Sequence, residues 1–122
     1  MIPILLIEDD PFLVDIYSTK LKDSGFKVEV ANGGEEGLRK VKEHKFDLVL
    51  LDIVLPEMDG WEFLRQLRQD LKMEHLKVII LSNLGQKEEV EKGMNLGATR
   101  YLIKAHYTPS QVVEQIKLLL NA

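Results

Sequence analysis

The chain has 122 residues, of which 45% are hydrophobic and 30% charged, and these proportions are typical of one folded domain spanning residues 1–122. Acidic residues outnumber basic ones by 20 to 16, and the basic residues are scattered singly or in pairs. We therefore expect no nucleic-acid-binding surface. Without cysteine, and with three histidines at no short metal-binding spacing, a zinc or iron-sulfur site is not expected either.

The N-terminal segment 1–7 is apolar, but its sequence does not have the pattern of a signal peptide or of a membrane-spanning segment. It has no basic flank, contains Pro3, and runs directly into Glu8, Asp9 and Asp10. We therefore expect no membrane association.

Five short apolar runs recur along the chain and predict five β-strands. They are residues 4–7, 28–31, 48–51, 78–81 and 101–103. Most are apolar at every position, which is typical of parallel strands that are covered on both faces. In the run 28–31 the polar Glu29 lies between two valines, and this alternation of apolar and polar residues indicates an edge strand.

Between these runs the apolar residues follow a helical period, so each intervening segment predicts one buried stripe. The stripes are Leu13, Tyr17 and Leu21; Leu38 and Val41; Leu64, Leu67 and Leu71; and Val112, Ile116 and Leu119. A fifth segment, 87–95, is polar except for Val90 and Met94, and predicts the most shallowly packed helix. Five strand–helix units in this length predict a doubly wound α/β fold.

Helix boundaries follow from capping chemistry. Asp10 and Thr108 each precede a proline, which is typical of a helix start, and Thr108 with Gln111 has capping-box spacing. Gly25 and Gly97 stand where helices are expected to end.

Polar and charged residues follow four of the predicted strands, at the edge where ligands collect in such sheets. They are Glu8-Asp9-Asp10, Asp52, Ser82-Asn83 and Lys104. An oxygen-rich, histidine-free cluster suits Mg²⁺, and an aspartate can serve as a nucleophile that forms an aspartyl phosphate. Lys104 and Ser82 could then stabilise the transferred phosphoryl oxygens.

Four segments in this order resemble the receiver domain of two-component response regulators, and the resemblance covers the whole chain. They are Glu8-Asp9, the run 50–60 (LLDIVLPEMDG), Ile80-Leu81-Ser82, and the run 97–104 (GATRYLIK). The acidic pair alone is a weak signal, whereas the aspartate run is fairly specific.

The resemblance implies a flavodoxin-like, or CheY-like, fold with a five-stranded parallel sheet in the order 2-1-3-4-5 and five helices. It further implies that Asp52 accepts the phosphoryl group, while Asp9 holds Mg²⁺ directly and Glu8 through water. In the family the Val54 backbone carbonyl completes the metal site, and two side chains contact the phosphoryl group. Those two are Ser82 and Lys104, and Tyr101 corresponds to an aromatic switch.

The resemblance also implies partners and a location. The phosphodonor would be a sensor histidine kinase or a histidine phosphotransfer protein, in the cytoplasm. We expect a protein target on the face formed by the fourth helix, fifth strand and fifth helix, and a chain that is monomeric or dimerises on phosphorylation. The 122 residues include no DNA-binding, methylesterase or cyclase domain, so we expect either a stand-alone receiver or part of a longer regulator.

The sequence departs from the family pattern at several positions. Lys104 is followed by Ala105 where the family usually has a cis-proline, and a cis Lys-Ala bond would cost about 2.5–4 kcal/mol. Asn83 replaces a usually small residue, and Val54 and Leu84 are apolar where the family tunes hydrolysis. We therefore expect a long-lived phosphorylated state.

Several residues also have simpler interpretations. Asp10 fits a helix cap, Asp59-Gly60 fits a turn, Ser82 could merely close a strand, Tyr101 could be core packing, and Trp61 fits a helix-face aromatic.

Three other functions compete with that of a phosphoacceptor. A nucleotide- or flavin-binding module needs a glycine-rich phosphate loop, which is missing after the first strand. An aspartate-nucleophile phosphatase needs a second acid two residues after the first, where Val54 stands. A receiver-shaped interaction module that is never phosphorylated is the remaining alternative, and we expect a phosphoacceptor switch rather than a turnover enzyme.

Overall fold

The five apolar runs form the strands of one parallel sheet. A computed structural model describes all residues 1–122, with strands β1 Pro3–Ile7, β2 Lys27–Ala31, β3 Leu48–Leu51, β4 Lys77–Ser82 and β5 Arg100–Ile103. The strand order is β2-β1-β3-β4-β5, so the alternating run lies at an edge as predicted. Five helices connect the strands: α1 Pro11–Asp23, α2 Gly34–Glu43, α3 Gly60–Gln69, α4 Lys87–Asn95 and α5 Pro109–Leu120. The flavodoxin-like fold class is confirmed.

Successive strand residues point to opposite faces of the sheet and build two separate cores. On one face, α2, α3 and α4 cover a cluster that includes Leu5, Val49 and Ile80. On the other face, α1 and α5 cover a cluster that includes Leu6 and Leu50. Because helices cover both faces, strands that are apolar at every position are the expected solution.

The helix boundaries that were predicted from capping residues and glycines agree with the structure. The Asp10 carboxylate accepts a hydrogen bond from the Phe12 amide at 2.9 Å, and Thr108 forms a capping box with Gln111. Gly25 and Gly97 have φ angles of 92° and 107°, the left-handed region that glycine adopts without strain.

One predicted helix position is wrong. The apolar periodicity predicts that Leu71 lies on the buried stripe of α3, but α3 ends at Gln69 and Leu71 is 79% exposed. The reason is Asp70, which takes extended backbone angles and caps a separate 3₁₀ turn by accepting a hydrogen bond from the Lys72 amide.

Helix α4 is shallowly packed, as predicted, and its one buried residue is Gly93. A Cβ atom built at Gly93 would lie 2.8 Å from Cδ2 of Tyr101 and 2.8 Å from Cδ1 of Ile80. The absence of a side chain therefore lets the Tyr101 ring rest directly against the α4 backbone.

The turn between α4 and β5 is tied to α3 by one arginine. The Arg68 guanidinium donates hydrogen bonds to the Gly97 carbonyl at 2.9 and 3.1 Å and to the Met73 carbonyl at 2.8 Å. Partial burial lowers the pKa of Arg68 from its usual value.

Two further features bear on expectations from the sequence. The backbone has no cis peptide bond, so the Lys104–Ala105 bond is trans. No helix combines the length and the apolar character that crossing a membrane requires.

Candidate functional site

The central strands β1 and β3 deliver two buried carboxylates to one end of the sheet. Ile7 pairs with Leu51 in the parallel register, so the residues that follow, Glu8 and Asp52, leave the sheet at the same level. The Asp52 amide donates to the Ile7 carbonyl at 3.0 Å, and the two acidic residues are only 3% and 8% exposed.

Asp9 joins these two residues to form an acidic cluster. One carboxylate oxygen from each of Glu8, Asp9 and Asp52 lies within 4.8 Å of the others, and Asp9 is exposed to solvent. Carboxylate oxygens without a nitrogen or sulfur ligand are the donor set that Mg²⁺ prefers. The cluster is therefore compatible with a magnesium site.

Lys104 arrives from β5 and contacts both buried acids. Its ammonium nitrogen lies 2.9 Å from Oε1 of Glu8 and 3.0 Å from Oδ2 of Asp52. Burial lowers the pKa of Lys104, but the hydrogen bond to Glu8 and the charge of Asp52 outweigh that effect and raise it above the usual value. Lys104 is therefore a fixed positive charge at the cluster.

The remaining oxygens of the buried acids accept backbone hydrogen bonds. Oε2 of Glu8 accepts from the amides of Asp9 and Asp10 at 3.0 and 3.2 Å, and Oδ1 of Asp52 accepts from Ile53 at 2.7 Å. Burial nevertheless raises the pKa of Glu8, with a further contribution from the nearby charge of Asp52. With three carboxylates against the one ammonium of Lys104, the cluster has a net negative formal charge, which favours a cation.

Ser82 and Tyr101 are linked through a single residue of the β4–α4 loop. The fully buried Ser82 hydroxyl oxygen accepts a hydrogen bond from the Leu84 amide at 3.2 Å, while the Tyr101 hydroxyl donates to the Leu84 carbonyl at 2.5 Å. Desolvation and the charge of Glu89 raise the pKa of Tyr101. Tyr101 is thus turned inward and half-buried, not a free surface side chain.

The other residues singled out from the sequence lie around this centre. The Val54 side chain is 64% exposed, Asn83 is exposed and Leu84 is half-buried. Asp10 caps α1, in agreement with its simpler interpretation, and Asp59, interpreted from the sequence as part of a turn, caps α3.

Trp61 and the three histidines take no part in the hydrogen bonds of the acidic cluster. Trp61 lies on α3, with the Lys92 ammonium 4.6 Å from its ring centroid. The three histidines are all exposed.

Sequence reasoning treated Gly60 only as turn chemistry and missed its effect on the site. A Cβ atom at Gly60 would overlap the Asp52 carbonyl oxygen and lie 2.7 Å from Cα of Ile53. The Gly60 amide donates to the Ile53 carbonyl at 2.9 Å, which folds the β3–α3 loop back onto the strand end. The Asp59-Gly60 pair indicated a turn from the sequence alone. The sequence did not indicate that Gly60 packs against the backbone of Asp52 and Ile53.

Comparison with known proteins decides the family of this site. Residues 4–117 match the response regulator receiver domain. The chain belongs to this family. As a receiver domain of the two-component response regulators, it is similar to a CheY-like receiver domain protein from Methanospirillum hungatei, with a TM-score of 0.90 and 32% identity over 99% of this chain and 94% of that chain.

Two longer proteins are similar to this receiver domain in sequence. The alkaline phosphatase synthesis transcriptional regulatory protein PhoP of Bacillus subtilis is 37% identical over 97% of this chain and 48% of its own length. The probable transcriptional regulator ycf29 of Porphyra purpurea is 36% identical over 96% of this chain and 56% of its own length. The chain spans about half the length of these curated relatives.

Proposed function

We propose that this receiver domain accepts a phosphoryl group on Asp52 from a phosphohistidine and thereby switches its contacts with a downstream protein. The donor would be a sensor histidine kinase or a histidine phosphotransfer protein. The observation that carries the proposal is the Lys104 ammonium held between Glu8 and Asp52, 3.0 Å from an Asp52 oxygen. In this proposal residues 1–122 act as one domain that is a phosphoacceptor and not a turnover enzyme.

In the transfer step, a carboxylate oxygen of Asp52 attacks the phosphorus of the phosphorylated imidazole. The new O–P bond forms as the P–N bond breaks, and the imidazole leaves with the electron pair of that bond. Lys104 supplies positive charge beside the incoming phosphoryl oxygens, and the Ser82 hydroxyl is a second donor to them. Both groups hold the aspartyl phosphate once it has formed.

The residues that would hold Mg²⁺ are Glu8, Asp9, Asp52 and the backbone carbonyl of Val54. The all-oxygen donor set and the close approach of the three carboxylates support this assignment. When bound, the ion supplies charge that offsets the carboxylates and the phosphoryl oxygens. The Asp9 carboxylate is exposed and can contact the ion. The two Glu8 carboxylate oxygens already accept hydrogen bonds from the Lys104 ammonium and from two backbone amides.

The output is proposed to pass through Leu84 to the face formed by α4, β5 and α5. A Ser82 hydroxyl that turns toward a phosphoryl group gives up the Leu84 amide, and movement of Leu84 in turn alters the acceptor of the Tyr101 hydroxyl. Such coupling needs two discrete arrangements whose balance phosphorylation shifts. Dimerisation through the same face is a second possible readout.

Mass measurement after incubation with Mg²⁺ and acetyl phosphate tests the acceptor. Wild-type protein should gain one phosphoryl group, and Asp52→Asn should gain none while keeping its fold. Asp59→Asn is the matched control, because its carboxylate caps α3 and should leave labelling unchanged. Label retained on Asp52→Asn would contradict the assignment, and an unlabelled wild type would favour a receiver that works as a protein-interaction module without phosphorylation.

Replacing Asp9 by alanine tests the metal site separately. Calorimetric titration should show weaker Mg²⁺ binding than in the wild type, because a direct ligand is lost. Unchanged affinity would exclude Asp9 from the site.

Amide NMR with and without beryllofluoride tests the output face. A receiver domain of similar structure, DrrB, is described as activated by BeF₃, with a TM-score of 0.86 and 30% identity over 100% of this chain and 99% of that chain. We expect shifts that extend from Asp52 to Tyr101 and to residues 87–95. Shifts confined to the loops around Asp52 would contradict this output face.

The phosphorylated state is proposed to be long-lived. Val54 and Leu84 offer no polar side chain to orient an attacking water, and Asn83 narrows its approach; each 1.4 kcal/mol of added barrier slows hydrolysis about tenfold. Phosphoryl loss should accelerate in a Val54→Asn, Leu84→Glu double variant. An unchanged decay rate would contradict this role.

A further inference from the structure

A second concave site lies at the end of the sheet opposite Asp52, where β1, β3 and β4 begin. It is a cavity of about 820 Å³, and we call it the basic groove. Its apolar floor is formed by six side chains: Ile2, Val41, Phe46, Met73, Leu76 and Leu120. The volume lies within the range that small-molecule sites occupy, roughly 300–1,000 Å³.

The rim of the basic groove carries positive charge in a chain whose net charge is −4. Four lysines line it, namely Lys42, Lys45, Lys72 and Lys77, against two carboxylates, Glu43 and Asp47. None of the four lysines forms an ion pair, whereas Glu43 is already paired with Arg39. Four cations around one apolar floor are therefore left without a partner.

The basic groove also continues into the cleft between α2 and α3. A second cavity of about 230 Å³ shares Val41, Lys42 and Met73 with it. Half of the eight residues that line the second cavity are apolar, and its polar half includes Asp70, so an elongated ligand body has room to extend between the helices but only partly against apolar side chains.

We propose that the basic groove binds a small amphiphilic anion, a molecule with an aromatic or aliphatic body and one carboxylate, sulfonate or phosphate group. The apolar floor stabilises the body by removing it from water, and the unpaired lysines complement the charge. An inorganic anion would leave the floor unused, and a neutral apolar molecule would leave the lysines unused. The site is remote from Asp52, so the proposal does not depend on the phosphoacceptor function.

A pair of matched dyes tests both parts of the proposal. 8-Anilinonaphthalene-1-sulfonate has an aromatic body and one sulfonate, and N-phenyl-1-naphthylamine has the same body without the charge. The sulfonate dye should bind more tightly by fluorescence titration, and its affinity should fall as NaCl is raised. Its amide NMR shifts should cluster at residues 42–47 and 72–77. Equal affinity of the two dyes, or shifts located elsewhere, would overturn the proposal.

Charge-removing variants give a second test in the folded protein. Lys45→Gln with Lys72→Gln removes two exposed rim charges and should weaken binding of the sulfonate dye about threefold or more. Lys20→Gln with Lys22→Gln removes the same charge from the exposed surface of α1 and should leave the affinity unchanged. An equal loss in both double variants would show only a general charge effect and would contradict a site in the basic groove.

Discussion

Helices α3 and α4 lie on the same face of the sheet but are held there in different ways. α3 inserts Phe63, Leu64 and Leu67 into the core, whereas the only fully covered residue of α4 is Gly93. Burying one large apolar side chain contributes about 1.5–3 kcal/mol. The helix that precedes the proposed output strand therefore has no fully buried large side chain, and its displacement exposes less apolar surface than displacement of α3 would.

The largest expected effect comes from removing an anchor of α3. Leu67→Ala should lower the free energy of unfolding by about 2–5 kcal/mol, because the side chain is 1% exposed and its loss leaves a cavity. Met94→Ala, a matched change on α4 at a side chain that is 43% exposed, should cost less than about 1 kcal/mol. Urea denaturation measures both values, and equal effects would remove the distinction between the two helices.

Arg68→Met should have the next largest effect, because it cuts the link between α3 and the α4–β5 turn. Hydrogen bonds from a charged donor typically contribute about 1.5–3 kcal/mol, and the Gly97 and Met73 carbonyls would lose theirs. Hydrogen exchange should accelerate around Gly97 more than in the centre of α3. Arg65→Met is the control, because its exposed guanidinium contacts only Glu62, and the same exchange pattern there would contradict the special role of Arg68.

Gly93→Ala should produce a smaller change in stability and a larger change in structure. The added methyl group improves helix propensity by about 1 kcal/mol but overlaps the Tyr101 ring and Ile80, so the net result is a destabilisation of about 1 kcal/mol. The Tyr101 ring should move outward and release the Leu84 carbonyl. NMR of the tyrosine ring tests this, and Glu91→Ala on the exposed side of α4 should leave the ring signals unchanged.

The smallest expected effect concerns the solvent face of α3. Hydrogen bonds from Arg65 and Gln66 lower the pKa of Glu62 from 4.5 to about 2. A lowered pKa stabilises the fold above the unfolded value of 4.5, and that contribution is lost as the pH falls toward about 2. Carbon NMR of the Glu62 carboxyl should show the low midpoint, and Arg65→Met should raise it. An ordinary midpoint in the wild type would mean that solvent screens this pair.

Much of the fold follows from the sequence because burial on both faces leaves few alternatives. The five apolar runs predicted the strands to within one residue at each end, since parallel strands in this layout tolerate little polarity. Leu71 was misplaced because hydrophobic periodicity carries no information on where a capping side chain ends a helix. Asp70 has that effect through its own hydrogen bond.

The charged residues of the candidate site were also foreseeable, whereas the backbone contacts were not. Glu8, Asp52 and Lys104 each follow a strand, and parallel topology brings such positions to one edge. Two contacts depend on which helix crosses which strand at close range. They are the hydrogen bonds from Arg68 to the Gly97 and Met73 carbonyls, and the packing of the Tyr101 ring against Gly93. No local pattern in a single sequence encodes that distance.

Leu84 takes part in the Ser82–Tyr101 link through its peptide atoms alone. Ser82 accepts from its amide and Tyr101 donates to its carbonyl, so neither contact depends on the side chain that the residue carries. A substitution at position 84 can therefore alter access of water to the proposed phosphoryl site on Asp52 while the two hydrogen bonds persist. If the chain works as proposed, the lifetime of its phosphorylated state and the shape change that transmits it are adjustable separately, at one and the same residue.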